Sequence, residues 1–299
     1  MLVVNGMPVG PADLLDHPAV QAAAAAFVAQ GRSCSGCTTL PGPALAKPIY
    51  ACQGEQATVD AAEEAWLCTS DATTCVALVA VATEDDASAP GSRLARVVHH
   101  DESTALGGTL AGLGPRVRLW LAGGYSDARG VGARVAARLL GFLAANSARC
   151  DVQLACLGRL NTTPGGAPAC TALALDLRSL TARPAEPQPP SARGPMLPAR
   201  LAQWAFGLSG CSSDAGTSSD SDEDGGGGSR ALRGVYDAAG RCLRLRLWHG
   251  QTRAYLLHHV AELAALPDAQ LLQNYSTSPE HEPPHFVGGA AGRRRWVRS

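Results

Sequence analysis

The 299-residue chain is long enough for one large domain or two ordinary ones, either with a substantial core. A formal net charge of −1, with the one dense basic run confined to 292–299, argues against a phosphate-binding surface over the whole protein. The apolar run at 19–30 falls short of the roughly 20 residues needed to cross hydrocarbon, so neither a membrane span nor a nucleic-acid partner is expected.

In chain order, Pro11 and Asp13 to Asp16 are expected to start an alanine-rich helix, with no convincing signal peptide before it. Ten cysteines without a secretory signal predict reduced thiols and a cytoplasmic or nuclear setting. The lone C-x-x-C at 34–37 has no second pair to complete a zinc site and reads as loop cysteines, so no metal or cofactor is expected. Residues 75–83, "CVALVAVAT", are nearly all apolar and predict a strand buried on both faces. The turn composition of 84–92 then leads into "RLARVVHHD", expected to be its antiparallel partner.

Further on, a strand over 117–122 ends at Gly123-Gly124, and Ser126 or Asp127 caps a helix running to about Ala145. That helix turns Arg129, Arg134 and Arg138 away from its apolar stripe. "CDVQLACLGRL" and "CTALALDLRS" supply two more strands. The Pro-, Ser-, Asp- and Gly-rich stretch 181–230 reads as a disordered insertion in a single domain, and 233–250 as a hairpin. The basic 292–299 run reads as a solvated tail.

Antiparallel pairing of 75–83 with 93–100 would bring Cys75 near His99 or His100, the elements of a thiol nucleophile with a histidine base. The preceding "TSDATT" turn would aim backbone N–H groups at an oxyanion. A buried structural thiol satisfies the same spacing, and a solvated or core histidine the same doublet.

Three stretches go further: "SDATTC" (70–75), "AGGYSD" (122–127) and "STSPEHEPPHFV" (276–287). Together with "VYDAAGRCLRL" and "VQLACLGRLN", they resemble the protein N-terminal asparagine amidohydrolase family over most of the chain outside 181–230. The resemblance implies an α+β fold, an α-β-β sandwich similar to the bacterial chemoreceptor glutamine deamidases and the cytotoxic-necrotizing-factor toxins. It also implies a Cys-His-Ser/Thr site with Cys75 as nucleophile and His99 as base. Thr69, where the family has serine, or its neighbour Ser70 would orient the imidazole.

The implied substrates are proteins with a free N-terminal asparagine. The aspartate product would pass to an arginyltransferase and an N-recognin ubiquitin ligase. Binding the α-ammonium calls for a carboxylate, with Glu282 foremost and Asp71, Asp101 and Asp127 behind it. Tyr125, Ser276, Thr277, Ser278 and His285 would line the pocket. Two other readings stay open. One is a cysteine hydrolase deamidating internal Gln or Asn; the other is a non-catalytic adaptor working through the acidic insertion.

Overall fold

The apolar run 76–82 lies in the interior of the largest sheet in the computed structural model. Residues 1–33, 48–62, 66–83, 93–184, 232–237, 242–243, 267 and 269–270 are described. In chain order, the strands are β1 (Leu2–Val4), β2 (Met7–Pro8), β3 (Ile49–Tyr50), β4 (Glu55–Asp60), β5 (Trp66–Thr69), β6 (Val76–Ala82) and β7 (Leu94–His100). They continue as β8 (Arg116–Tyr125), β9 (Arg149–Gly158), β10 (Leu173–Asp176), β11 (Thr181–Arg183), β12 (Arg233–Gly234), β13 (Tyr236–Asp237) and β14 (Cys242–Leu243). The two α-helices among the described residues are α1 (Pro18–Ser33) and α2 (Val131–Ala145).

The eight-stranded sheet has the order β12-β4-β7-β6-β8-β9-β1-β2, and a four-stranded sheet runs β11-β10-β5-β3. Both mix parallel and antiparallel pairs, so the chain is a mixed α and β structure consistent with the α+β class.

Period-two alternation divides the core. On β6, Val76, Leu78 and Ala80 join Leu139, Leu140 and Leu143 of α2. Ala77, Val79 and Val81 point the other way, to Leu67 of β5 and Leu173 and Leu175 of β10. Helix α2, the eight-stranded sheet and the four-stranded sheet thus form successive layers, and Ala24, Phe27 and Val28 of α1 join the core on the four-stranded sheet's side. Because both faces of β6 are covered, every one of its positions must be apolar, which is why it reads as a continuous run.

Antiparallel pairing of β6 with β7 matches the expectation, with Val76 opposite His100 and Ala77 opposite His99. The helix α2 also forms as its spacing predicts. Its start is held by Asp127, whose carboxylate accepts the N–H groups of Arg129, Val131 and Gly132. Ser126 instead donates its backbone N–H to Thr162. Arg134 and Arg138 point outward as expected, and both bond to the 102–104 segment. Of the hairpin expected over 233–250, Tyr236 and Asp237 pair antiparallel with Leu243 and Cys242, while 238–241 and 244–250 lie outside the described residues.

Several details differ from the sequence reading. Helix α1 begins at Pro18 and not at residues 11–16, where only a 3₁₀ turn (Leu14–Asp16) forms. The residue before a proline is pushed out of the helical region, and His17 is extended at ψ 126. Residues 181–183, assigned to the disordered insertion, form β11 and pair with β10. Strands β1 and β2 escaped the sequence reading although "VNGM" carries an Asn-Gly turn, with φ of 50 and 82 at Asn5 and Gly6.

Most of the insertion, the 292–299 tail, the C-x-x-C, the 84–92 turn and all of 276–287 lie outside the described residues. No helix among the described residues is long and apolar enough to cross a membrane.

One glycine sets how the layers meet. At Gly123 φ is +112, and a Cβ would lie 2.3 Å from the Cys75 carbonyl and 2.8 Å from that of Ala72. Only glycine admits that approach. Gly123→Ala should therefore destabilise the protein by roughly 2–4 kcal/mol in urea unfolding. By contrast, Gly141→Ala, with nothing near its Cβ on the exposed face of α2, should stabilise it by about 0.5–1 kcal/mol.

Candidate active site

Thr69 ends β5 in the smaller sheet, and its Oγ1 lies 2.8 Å from Nδ1 of His99 on β7. This hydrogen bond joins the two sheets at one end. The other ring nitrogen, Nε2, is buried with no hydrogen-bond partner. Ser70 turns the other way, with its hydroxyl 2.8 Å from that of Tyr50.

Cys75 directly precedes β6, on the face shared by Ala77 and His99. Continued one residue past the Val76–His100 pair, the ladder would make it the diagonal neighbour of His99, at a Cα separation of roughly 7–8 Å. Its turn is tied down by backbone bonds. Gly124 N–H donates to Cys75 O (2.7 Å), Tyr125 N–H to Thr73 O (3.1 Å), and Ala72 N–H to Thr171 O (2.9 Å). Cys75 itself is a reduced thiol, 8% exposed.

The histidine doublet is split by the pleat. His100 points to the α2 side, where its Nε2 meets Thr109 Oγ1 at 3.1 Å, on the opposite face of the sheet from Cys75. Both imidazoles are held neutral. Burial pushes the His99 pKa down to about 4 against the opposing pull of Asp101, Asp71 and Glu55. Burial also takes His100 down to about 3, with help from His99 and Arg138.

The carboxylates proposed for an α-ammonium divide by geometry. Asp101 is engaged by Ser103, Thr104 and Gln53, and Asp127 by the start of α2. Asp71 lies two residues beyond Thr69 at φ 63, a left-handed conformation that aspartate tolerates. Tyr125 is buried at the end of β8. Ser276, Thr277, Ser278, Glu282 and His285 lie outside the described residues.

Sequence reasoning passed over Glu55. It is fully buried at the start of β4, with Oε2 accepting the Cys52 N–H at 2.9 Å. Gln56 pairs with Val98, so Glu55 is the cross-strand neighbour of His99, on the side away from β6. Its signal was available: it is in phase with the inward-facing Ala57 and Val59, and a charge at an inward position needs a reason. Among the described residues, no group of three or more His, Cys, Asp or Glu side chains could hold a metal ion.

The sequence model for protein N-terminal asparagine amidohydrolases matches residues 43–297, a span that includes Thr69, Cys75, His99 and 276–287. The chain belongs to the protein N-terminal asparagine amidohydrolase family. Its name denotes an amide hydrolase acting on N-terminal asparagine. Comparison with curated proteins found no match. In this family member, the geometry sets a thiol, a neutral imidazole with one bare nitrogen, and a hydroxyl at the other nitrogen between two sheets. Such a set suits nucleophilic attack on an amide.

The depressed histidine pKa values carry a linkage consequence. Below pH 6.5 the unfolded chain protonates His99 and His100, whereas the folded chain does not until about pH 4 and 3. The unfolded state then binds more protons, so stability falls as pH drops from 6.5 toward 4 and is unaffected by these groups above 6.5. His99 alone should contribute a loss of about 3 kcal/mol across that window, read from urea midpoints. Its imidazole NMR shifts should stay those of the neutral ring down to about pH 5.

Proposed function

We propose that the protein hydrolyses the side-chain amide of asparagine at the free N-terminus of proteins, using Cys75 as nucleophile and His99 as general base. The observation that carries the reading is the Thr69–His99 hydrogen bond, which leaves Nε2 bare on the face shared with Cys75.

For His99 to act as base, its Nδ1–H donates to Thr69 Oγ1, which fixes the tautomer with the Nε2 lone pair toward the thiol. Nε2 takes the Cys75 proton as the sulfur attacks the amide carbon. The imidazolium then protonates the departing ammonia, leaving a thioester. Water, deprotonated by the same nitrogen, hydrolyses the thioester and releases N-terminal aspartate. A low His99 pKa keeps the base form available at neutral pH, and the charge it acquires transiently is balanced by Glu55, Asp71 and Asp101. Thr69 accounts for the orienting role without Ser70, which is bonded to Tyr50.

Selectivity for a terminal residue requires an acceptor for the α-ammonium, a role we assign to Glu282 and to Asp71, which sits in the turn between Thr69 and Cys75. Tyr125, Ser276, Thr277, Ser278 and His285 complete the pocket. The helix-sheet-sheet layering supports the likeness in fold to the chemoreceptor deamidases and necrotizing-factor toxins. The product, an N-terminal aspartate, is the group that an arginyltransferase and an N-recognin ubiquitin ligase would act on, which places the protein at the entry to an N-degron pathway.

The test uses peptides beginning with Asn, Gln or acetyl-Asn, following ammonia release and the amide-to-acid mass change. Asn peptides should turn over, Gln peptides at least roughly tenfold more slowly because one methylene is worth about 1–3 kcal/mol, and acetyl-Asn not measurably. Equal rates on acetyl-Asn would favour the internal-residue deamidase, and no turnover the adaptor.

Cys75→Ser should lower kcat at least about 10³-fold. Thr69→Val should lower it roughly 10²-fold with Thr69→Ser within a few-fold of wild type. A Thr69→Val enzyme of full activity would remove the orienting role.

A further inference from the structure

A pair of thiols lies apart from this pocket. Cys156, fully buried on β9, and Cys170, half-buried in the segment before β10, have their sulfurs 3.8 Å apart. Cys156 shares a row across the sheet with Ala122, Ala77 and His99. Three strand spacings, roughly 14 Å, therefore separate it from the imidazole.

Asn161 holds the pair in place. Its Oδ1 accepts the Cys170 N–H at 2.9 Å and the Cys170 thiol at 3.0 Å, with the Cys156 thiol at 3.7 Å. Its Nδ2 donates to Cys170 O at 3.0 Å. A disulfide needs about 2.05 Å between sulfurs. Closing the remaining gap would start with a side-chain rotation at Cys170, the more exposed partner, whose backbone is held by Asn161.

We propose that Cys156 and Cys170 form a reversible dithiol–disulfide pair, a modification site distinct from the Cys75 pocket and oxidised by exchange with a small disulfide such as glutathione disulfide. Cys170 as thiolate attacks one sulfur of glutathione disulfide, forming a mixed disulfide and releasing one glutathione thiolate, which takes up the proton. Cys156, deprotonated in turn, attacks the Cys170 sulfur, forming the internal S–S bond and expelling the second glutathione. Two protein thiols and one glutathione disulfide thus become one protein disulfide and two glutathione thiols. The hydrogen bond with Cys156, together with burial, pushes the Cys170 thiol up. The pair therefore responds slowly, to sustained redox poise more than to brief oxidant pulses.

The consequence reaches the pocket through the backbone. The bond would pin the 159–169 segment to β9. The next residue, Thr171, accepts the N–H of Ala72, in the turn that presents Cys75.

The test equilibrates the full 299-residue chain in glutathione redox buffers, blocks remaining thiols by alkylation and maps peptides by mass. A linked 156–170 peptide, reversed by dithiothreitol and absent in Cys170→Ser, is expected. Tm should rise by roughly 5–10 °C on oxidation of the wild type. Amide exchange should slow over 159–171 and at Ala72.

A folded wild-type chain that yields no linked peptide in excess glutathione disulfide overturns the proposal. So does glutathione persisting on Cys170 with Cys156 alkylated. Should Cys170→Ser fail to fold, the wild-type peptide map decides by itself. Unchanged exchange at Ala72 in the oxidised protein overturns the link to the pocket. No readout uses turnover, so the outcome is independent of the reaction proposed above.

Discussion

The pairing of β6 with β7 on one side and β8 on the other is the constraint on which the site depends. It sets the phase of the pleat, and the phase decides which side chains share a face. Slip β7 by one residue and His100 would enter the space between the sheets while His99 turned to α2. Register is strongly enforced here because both faces are dry. A slip would move every inward-facing valine and leucine of β7 to the wrong layer, so the apolar core and the candidate active site are specified by the same pairing.

The second sheet adds what a single sheet cannot. Thr69 comes from β5, whose partners are β10 and β3, and it reaches His99 across the gap between layers. A hydroxyl there satisfies Nδ1 without adding charge, so burial keeps the ring neutral. The carboxylates of Glu55, Asp71 and Asp101 then oppose that burial. The imidazole is thus held where its neutral form dominates at physiological pH, with acidic groups near it. Glu55 also ties the site to the 52–55 turn, because its carboxylate caps the Cys52 N–H while Gly54 N–H donates to the His99 carbonyl.

Much of the fold was legible because its signals are local. β6 is apolar throughout, α2 carries a clean stripe, and β9 and β10 alternate or run apolar between turns. The elements that escaped were β1 with β2, β3 to β5, and β11. They are two to six residues long, too short for periodicity to register, and they are stabilised by neighbours distant in the chain. The start of α1 was misjudged because Pro18 outweighed the acidic residues before it. Glu55 escaped for a related reason: a glutamate at the start of a short strand looks like a polar edge until the layer above it is known.

The sequence by itself determined the family, through motifs such as "SDATTC" and "STSPEHEPPHFV", and it narrowed the candidate site to a cysteine, a histidine doublet and two adjacent hydroxyls. These are covalent facts, readable in one dimension. Which histidine faces Cys75, which hydroxyl meets it, which carboxylate lies beside it, and that two further cysteines stand sulfur to sulfur were decided only by the tertiary structure. The reason is geometric: adjacent residues on a strand point to opposite faces, and a partner on another sheet has no fixed sequence offset.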